Sequence, residues 1–375
     1  MRIGIVAYWF NRGQGVVARH LRSALEELGH ETFVLARPTR ETNIRPSRVD
    51  EFEVWDQPLV TAASGYDIPW TDYAAWAEAN SPELVFFDQN YGFEEIARLR
   101  SSGVRTIGRF VWEQFSPRHV KAATEAFDCI YSMTACERER YATLGIESPR
   151  VRWGVHPELL AHASDLAGAE RDADGRAADA SVRFFFPGGF MSKRKPIKEV
   201  LKAFRRTDDE RLRLLLKAQV SRRVKAVQRA TKRDPRIDVI WDELLTDEYL
   251  CLFASMDVCL APSRWEGLGL HLYEATAFGL PIITNDVPPM NEVVRDGDNG
   301  LLVRSATDGE ARSGIPAYLP KVRELSKAIE RLADPELRSD LAAGARRRRD
   351  ELRWENTVAD LEALVEPSAG ASRPE

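Results

Sequence analysis

Short apolar runs alternate with amphipathic stretches along most of this 375-residue chain. Ile3–Tyr8 is a continuous apolar run typical of a buried strand, and Val16–Leu28 carries apolar residues at helical spacing on one face. Gly29 stands where a helix of this kind ends, and Glu31–Ala36 begins the next strand. Because neighbouring parallel strands need a crossover connection, this alternation predicts an α/β fold with parallel sheets and crossover helices.

A polar segment interrupts the alternation of apolar runs and amphipathic stretches, which resumes after it. Ala161–Ala180 is rich in Ala, Asp, Gly and Arg and has almost no large apolar residues, so we expect an exposed linker, placed at 166–181. Two doubly wound domains are therefore predicted, over 1–165 and 182–350, followed by a flexible tail over 367–375. The other predicted strands are Leu84–Phe87, Arg105–Val111, Val182–Phe186, Leu212–Lys217, Val258–Ala261 and Pro281–Thr284. The other predicted helices are one capped by Thr134 that ends near Gly145, Ile197–Phe204, Leu272–Phe278 and Asp350–Leu364.

Composition and charge narrow the class of protein. Hydrophobic residues make up 44% and charged residues 30% of the chain, which is ordinary for a globular protein. The net charge of -5 argues against a nucleic-acid-binding protein. The first apolar run is too short for a signal peptide and no run is long enough to cross a bilayer, so a cytoplasmic location is expected. The four cysteines lack metal-site spacing and are interpreted as buried, reduced thiols.

The segment from Glu266 to Glu274 says most about function. Two carboxylates enclose a glycine-punctuated turn and a predicted helix start. The N-terminus of a helix presents unpaired N–H groups and attracts anions such as phosphate. Carboxylates cannot bind phosphate themselves, but they accept hydrogen bonds from hydroxyl groups. This combination predicts a site for a sugar joined to a nucleotide through a diphosphate.

The stretch Pro262–Pro281, with its continuation through Asn291–Val294 to Asn299–Val303, resembles the family 4 (group 1) retaining glycosyltransferases. The hallmark of that family is two glutamates at the spacing of Glu266 and Glu274, and the flanking Pro-Ser, Gly-Leu-Gly-Leu and Asn-Gly-Leu-Leu-Val also match. The resemblance implies the GT-B architecture, with two Rossmann-like domains facing across a cleft. The first would be the acceptor side and the second would bind the nucleotide-sugar, with the C-terminal helix, 351–366, packing back onto the first.

The resemblance also assigns roles to residues. Glu266 would contact the donor sugar near the reacting centre, and Glu274 would hold the ribose hydroxyls of the nucleotide. The alternative for Glu274 is a solvated helix residue in an ion pair. The backbone between the two glutamates would approach the diphosphate, through Gly267, Leu268, Gly269 and Leu270.

A basic loop, Pro187–Pro196, stands where the resemblance places a diphosphate-binding arginine and lysine, after Gly188. Lys195 aligns with the lysine. The arginine position falls on Gly189, so Arg194 or Lys193 would have to supply the second cation that a leaving diphosphate needs. The alternative interpretation is a solvated basic turn. Further along the chain, Lys217 stands where family members line the nucleotide pocket.

Two positions in the first domain are weaker candidates. The loop Asn11–Val16 is rich in glycine but is not the dinucleotide fingerprint. Gly13 and Gly15 would let its backbone approach the phosphates or the acceptor, or they would serve a plain strand-to-helix turn. Where many family members carry a functional histidine, this chain has Trp112 or Glu113. Glu113 would act on the acceptor hydroxyl as a base or hydrogen-bond acceptor, or would be a surface salt-bridge residue.

The hypothesis is a retaining glycosyltransferase that moves a hexose-type sugar from a UDP- or GDP-linked donor to a hydroxyl acceptor: a glycan, a lipid-linked molecule or a small molecule. No metal and no cofactor besides the donor are expected. A nucleotide-sugar epimerase of the same architecture and a non-catalytic nucleotide-sugar-binding partner are the alternatives. The run Arg346–Arg349 is interpreted as a solvated helix face, with phosphate binding or peripheral membrane contact as the other interpretations.

Overall fold

The computed structural model describes residues 1–9, 12–38, 57–163, 181–220 and 223–366. The chain divides into two compact units: unit 1 is Met1–Gly154 with Trp354–Glu375, and unit 2 is Val155–Arg353. Of the expected linker only residue 181 is described, and the expected tail lies wholly outside the described residues.

The division between the units falls eleven residues before the expected position at 165, between Gly154 and Val155. The reason is apolar packing that sequence periodicity does not reveal. Val155 and Leu159 are buried in one cluster with Leu250 and Ala277, which belong to unit 2.

Unit 1 is built on a six-stranded parallel sheet in the order β3-β2-β1-β4-β5-β6. Its strands are β1 (Arg2–Tyr8), β2 (Glu31–Arg37), β3 (Val60–Ala62), β4 (Leu84–Asp88), β5 (Arg105–Arg109) and β6 (Cys129–Ile130). The central strands are buried at almost every position, as expected of parallel strands covered on both faces. The connecting helices are α1 (Gly13–Glu27), α2 (Trp70–Asn80), α3 (Phe93–Ser101), α4 (Val120–Ala126) and α5 (Ala135–Thr143).

Unit 2 repeats the design with a six-stranded parallel sheet in the order β12-β11-β10-β7-β8-β9. Its strands are β7 (Val182–Gly189), β8 (Leu212–Ala218), β9 (Ile237–Ile240), β10 (Val258–Leu260), β11 (Ile282–Asn285) and β12 (Gly300–Val303). Its helices are α6 (Ile197–Phe204), α7 (Lys225–Arg233), α8 (Thr246–Ala254), α9 (Leu270–Ala277), α10 (Met290–Val293), α11 (Val322–Arg331) and α12 (Pro335–Glu351). The α/β fold class with two parallel sheets is confirmed.

An antiparallel hairpin follows the unit 2 sheet and was not predicted. It consists of β13 (Ser305–Glu310) and β14 (Pro316–Pro320). Most of β13 is exposed, so its sequence lacks the apolar run or alternation from which a strand is recognised.

The last helix, α13 (Trp354–Val365), belongs to unit 1. The Arg105 guanidinium of β5 donates from its two terminal nitrogens to the carbonyls of Leu364 (2.9 Å) and Val365 (2.7 Å) at the end of α13. The Trp354 ring packs edge-on against Trp153, with 5.3 Å between ring centroids. The sequence predicts that this helix begins at Asp350, but it begins at Trp354, because Asp350 still belongs to α12.

The arginine run on α12 is not uniformly solvated, so its interpretation as a solvated face is wrong for Arg348. That side chain is buried, and it donates to the carbonyls of Val293 (3.0 Å) and Glu292 (2.6 Å), which ties α12 to α10. No helix in the described part of the chain is long and apolar enough to cross a membrane.

Each sheet has one point where the strand order reverses. In unit 1 it lies between β1 and β4, and in unit 2 between β7 and β10. Open α/β sheets bind ligands in the crevice at the carboxyl ends of the strands at this position. In unit 2 the residues that follow β7 and β10 are the basic loop and the loop that carries Glu266.

Candidate functional site in unit 2

The centre of the site is a buried ion pair between the two loops at the unit 2 reversal point. Lys195 follows β7 and Glu266 follows β10, and both side chains are almost fully buried. The Lys195 ammonium donates to the carboxylate Oε1 of Glu266 at 2.6 Å and to the hydroxyl of Ser263 at 2.8 Å. That hydroxyl donates in turn to Glu266 Oε1 at 2.6 Å. The three side chains form a closed triangle, which compensates both buried charges.

Further groups surround the Glu266 carboxylate. The Arg194 guanidinium lies 3.5 Å from its Oε2, and His271 Nε2 lies 4.0 Å from Oε1. Burial by itself would raise the pKa of Glu266, but the positive charges of Arg194 and Lys195 outweigh it and hold the pKa well below its usual range. Glu266 is therefore ionised, and it can accept hydrogen bonds from a ligand's hydroxyl groups.

His271 is a site residue that sequence reasoning missed. Burial, and secondarily the Lys195 charge, lower its pKa to about 3, so the imidazole is neutral at physiological pH. Its position, five residues after Glu266 and in the first turn of α9, was the available signal. A neutral imidazole can donate from one ring nitrogen and accept at the other.

Glycine geometry shapes both loops. Gly269 has φ of +76° and immediately precedes α9, so the N–H groups of the first turn begin directly after the loop that carries Glu266. Gly189 has φ of +50°, and a Cβ added at Gly188 would lie 3.1 Å from the backbone carbonyl oxygen of Lys217, a tight contact. Glycine adopts this left-handed backbone without strain, whereas the arginine that the resemblance leads one to expect at Gly189 would be strained in it.

Glu274 lies on α9 and is buried. The hydroxyl of Tyr249, a partly buried residue of α8, donates to its Oε2 at 3.0 Å. Burial raises the pKa of Glu274 to about 7, and the Tyr249 hydrogen bond only partly opposes this. Burial and the neighbouring Glu274 raise the pKa of Tyr249, so the phenol stays protonated and remains the donor. The solvated ion pair considered as an alternative for Glu274 does not describe this environment.

Lys217 ends β8 with its ammonium turned to the backbone. It donates to the carbonyls of Ala218 (2.8 Å) and Asp242 (2.7 Å), and only 2% of the residue is exposed. These bonds tie the end of β8 to the loop after β9. Lys217 therefore shapes the loop beside the predicted nucleotide pocket.

Arg264 joins the two site loops to the unpredicted hairpin. Its backbone N–H donates to the Arg194 carbonyl (2.8 Å), and its guanidinium donates to the carbonyl of Lys193 (3.2 Å). The same guanidinium donates to the Asp308 carboxylate on β13 at 2.6 Å, and the Tyr318 N–H of β14 donates to the Arg264 carbonyl at 2.9 Å. The hairpin thus braces the loop that carries Arg194 and Lys195.

Three of the predicted site residues lie in unit 1. Gly13 is the first residue of α1 and is exposed, whereas Gly15 is buried within the helix. The glycines therefore belong to the first helical turn and not to a loop ahead of it, and Asn11 lies outside the described residues. Glu113 is buried in the turn after β5 and is not a surface residue.

Residues 175–329 match the family described as "Glycosyl transferases group 1". The match covers the larger part of unit 2 and none of unit 1. The matched residues include the basic loop, the Ser263–Glu274 stretch and the hairpin, so the family match and the site geometry concern the same part of the molecule.

The chain is similar to named members over part of its length. It is 34% identical over 127 residues to D-inositol 3-phosphate glycosyltransferase of Geodermatophilus obscurus, covering 34% of this chain and 24% of that protein. It is 32% identical over 111 residues to the GtfA subunit of a UDP-N-acetylglucosamine–peptide N-acetylglucosaminyltransferase of Streptococcus pneumoniae, covering 29% and 22%. The matched part thus spans about a quarter of the length of these relatives.

Solved structures match the fold over nearly the whole chain. Sucrose-phosphate synthase of Thermosynechococcus elongatus superimposes with a TM-score of 0.69 at 18% identity, covering 97% of this chain and 98% of that one. HepE of Anabaena, solved in complex with UDP and glucose, gives 0.69 at 14% identity, covering 97% and 98%. The chain has the GT-B fold of these glycosyltransferases.

Proposed function

We propose that this protein is a retaining glycosyltransferase that moves a hexose-type sugar from a UDP- or GDP-linked donor to a hydroxyl acceptor. The observation that carries the proposal is the buried Lys195–Ser263–Glu266 triangle at the reversal point of the unit 2 sheet, next to the N-terminus of α9. The match of residues 175–329 to the group 1 glycosyltransferase family, and the UDP and glucose in the HepE structure of similar fold, support the donor class.

The leaving diphosphate is stabilised by positive charge and N–H donors. An ammonium has three N–H groups, and Lys195 uses one on Ser263 and one on Glu266, which leaves the third for a phosphate oxygen. The first turn of α9 adds backbone N–H groups and the positive end of a helix dipole. Arg194, with about a third of its side chain exposed, supplies a second cation. These groups act most strongly as negative charge develops on the departing diphosphate.

The two glutamates bind hydroxyl groups of the donor. Glu266 is ionised beside Lys195, so it accepts hydrogen bonds from the sugar near the reacting carbon. Glu274 accepts a hydrogen bond from a ribose hydroxyl, while Tyr249 fixes its other oxygen. Such a bond favours the ionised form of Glu274, which burial alone disfavours.

Transfer with retention follows from attack on the same face that the diphosphate leaves. The bond from the anomeric carbon to the diphosphate oxygen breaks, and a bond from that carbon to the acceptor oxygen forms. The acceptor proton passes to the leaving phosphate oxygen, so no separate protein base is required in this scheme. The proposal also assigns no resident metal or cofactor, and it therefore expects transfer rates to be unchanged by EDTA.

Hydrolysis of the donor in the absence of an acceptor tests the proposal without knowledge of the acceptor. Wild-type protein is incubated with UDP- and GDP-linked hexoses, and release of nucleoside diphosphate is measured. Lys195→Ala should slow the release by about 100-fold, the usual loss when one donor to a developing charge is removed. The matched control is Lys193→Ala, which removes an exposed lysine of the same loop and should leave the rate unchanged. Equal rates in the two variants, or no release from any donor, would overturn the proposal.

Retention is tested separately on the product. With any acceptor that supports turnover, proton NMR of the new glycosidic bond reports its anomeric configuration from the coupling constant. The proposal expects the configuration of the donor, and the opposite configuration would contradict the same-face scheme.

A further inference from the structure

The reversal point of the unit 1 sheet carries two consecutive buried polar residues. Asp88 ends β4 and Gln89 follows it, with 7% and 2% of each residue exposed. Gln89 has φ of +50°, a left-handed conformation that a residue other than glycine adopts only when its surroundings hold it there. Such strained positions concentrate at functional sites.

Three contacts hold Gln89 in this conformation. Its backbone N–H donates to the Arg109 carbonyl at 2.9 Å, and its own carbonyl accepts from Arg37 at 2.9 Å. Its side-chain Oε1 accepts from the Tyr91 hydroxyl at 3.2 Å. The backbone and the orientation of the amide group are therefore fixed by the protein itself.

The same pair of residues leaves one donor and one acceptor unused. Within the described part of the chain, Gln89 Nε2 and Asp88 Oδ2 are buried without a hydrogen-bond partner, while Asp88 Oδ1 accepts from Arg109 at 3.2 Å. Buried polar atoms in folded proteins are nearly always paired, so each of these two atoms calls for a partner. Hydroxyl groups suit both kinds of atom, because a hydroxyl accepts from an amide and donates to a carboxylate.

The surroundings are aromatic and their charges are compensated. The Arg37 guanidinium lies over the rings of Tyr8 (4.8 Å) and Tyr66 (4.5 Å), and Tyr8 ends β1 on the other side of the reversal point. Arg109 lies between two carboxylates, 3.2 Å from Asp88 and 3.7 Å from Glu137. Aromatic rings beside a few fixed polar groups are the usual lining of a small-molecule site.

We propose that Asp88 and Gln89 form a hydroxyl-binding subsite for a saccharide or polyol. Calling this ligand the acceptor rests on the proposed transferase function, whereas its binding to unit 1 does not depend on that function. The subsite narrows the acceptor classes from any hydroxyl compound to a polyhydroxylated one. It adds Asp88 and Gln89 to Glu113, which the sequence offers as a base or hydrogen-bond acceptor for the acceptor hydroxyl.

Saturation-transfer NMR on the full-length protein tests the subsite with glucose, mannose and myo-inositol as probes and a serine- and threonine-containing peptide as the comparison. At least one saccharide or polyol should bind wild type, and Gln89→Met, which removes the amide but keeps the length, should weaken it about tenfold. Gln228→Met on α7 is the matched control and should change nothing. Nucleotide affinity is measured in parallel and should be equal in all three proteins.

A second measurement covers the case in which Gln89→Met fails to fold. In wild-type protein, the side-chain amide resonance of Gln89, assigned with Gln89→Asn, should shift on addition of the binding saccharide. Three results would overturn the subsite: no saccharide or polyol binds, only the peptide binds, or a saccharide binds equally to Gln89→Met and leaves this resonance unmoved. In each case a resident water would satisfy the two atoms. Absence of nucleotide binding by the wild-type protein would instead contradict the proposed transferase function.

Discussion

Glu274 offers a quantitative test, because its proposed function uses the ionised carboxylate whereas its burial favours the protonated form. Burial raises its pKa from 4.5 to about 7. The folded protein therefore holds the proton more tightly than the unfolded chain does. Stability from this group is greatest below pH 4.5, declines as the pH rises, and has been lost once the pH exceeds about 7. Between pH 5 and pH 8 the decline amounts to about 2.5 kcal/mol of unfolding free energy, since a tenfold change in proton affinity is about 1.4 kcal/mol.

Glu274→Gln removes the ionisation but keeps an oxygen that can accept from the Tyr249 hydroxyl. The difference in unfolding free energy between variant and wild type should shift in favour of the variant by about 2.5 kcal/mol from pH 5 to pH 8. Nucleotide affinity should fall, because an amide oxygen is a weaker acceptor than a carboxylate. The variant would thus gain relative stability at pH 8 while losing binding.

Urea unfolding at pH 5, 6, 7 and 8 measures the first effect, and titration with UDP and GDP measures the second. The control is Glu330→Gln, an exposed glutamate on α11, which should leave the dependence of stability on pH unchanged. Parallel pH profiles for wild type and Glu274→Gln would refute the assignment of Glu274 as a buried carboxylate of raised pKa.

Four further substitutions test contacts in unit 2, three of them at the site and one in the sheet. Ser263→Ala opens the hydrogen-bonded triangle, and donor hydrolysis should fall by about tenfold without loss of fold, as judged by circular dichroism. Arg264→Ala removes the contacts between the hairpin and the basic loop and should raise the KM for the donor. Asp308→Asn keeps an acceptor for Arg264 and should raise the KM less. Equal KM values in wild type and Arg264→Ala would contradict the bracing role of the hairpin. Gly300→Ala would put a Cβ 2.1 Å from the Ile282 carbonyl, so thermal melting should show destabilisation by about 3 kcal/mol or failure to fold.

The sequence predicted those parts of the fold whose side chains are buried in regular runs. Ile197–Phe204 was expected at the bounds the structure gives, because its apolar residues follow helical spacing closely. The hairpin was missed, because most of β13 is exposed and nothing in it alternates. The unit boundary was misplaced, because the burial of Val155 and Leu159 depends on partners roughly a hundred residues further along the chain.

The site was predictable in its parts but not in their contacts. The sequence motif around Glu266 indicated that this residue belongs to the site, and the basic loop indicated the same for Lys195. Their direct ion pair, and its closure through Ser263, depend on how two loops 71 residues apart meet at the sheet edge. His271 was missed because only the folded site brings its ring to the edge of the Glu266 carboxylate. The backbone at Gly189 likewise became informative only through its positive φ.

Equilibrium binding of UDP and GDP to the full-length protein tests the central claim most directly, that the reversal point of unit 2 is a nucleotide-diphosphate site. Calorimetric titration should give one site per chain for at least one of the two nucleotides. A nucleotide at 100 times its dissociation constant should also stabilise the fold by about 2.7 kcal/mol. Lys195→Ala should weaken this binding and Lys193→Ala should not. Absence of binding by both nucleotides, or binding that is unchanged in Lys195→Ala, would contradict the claim.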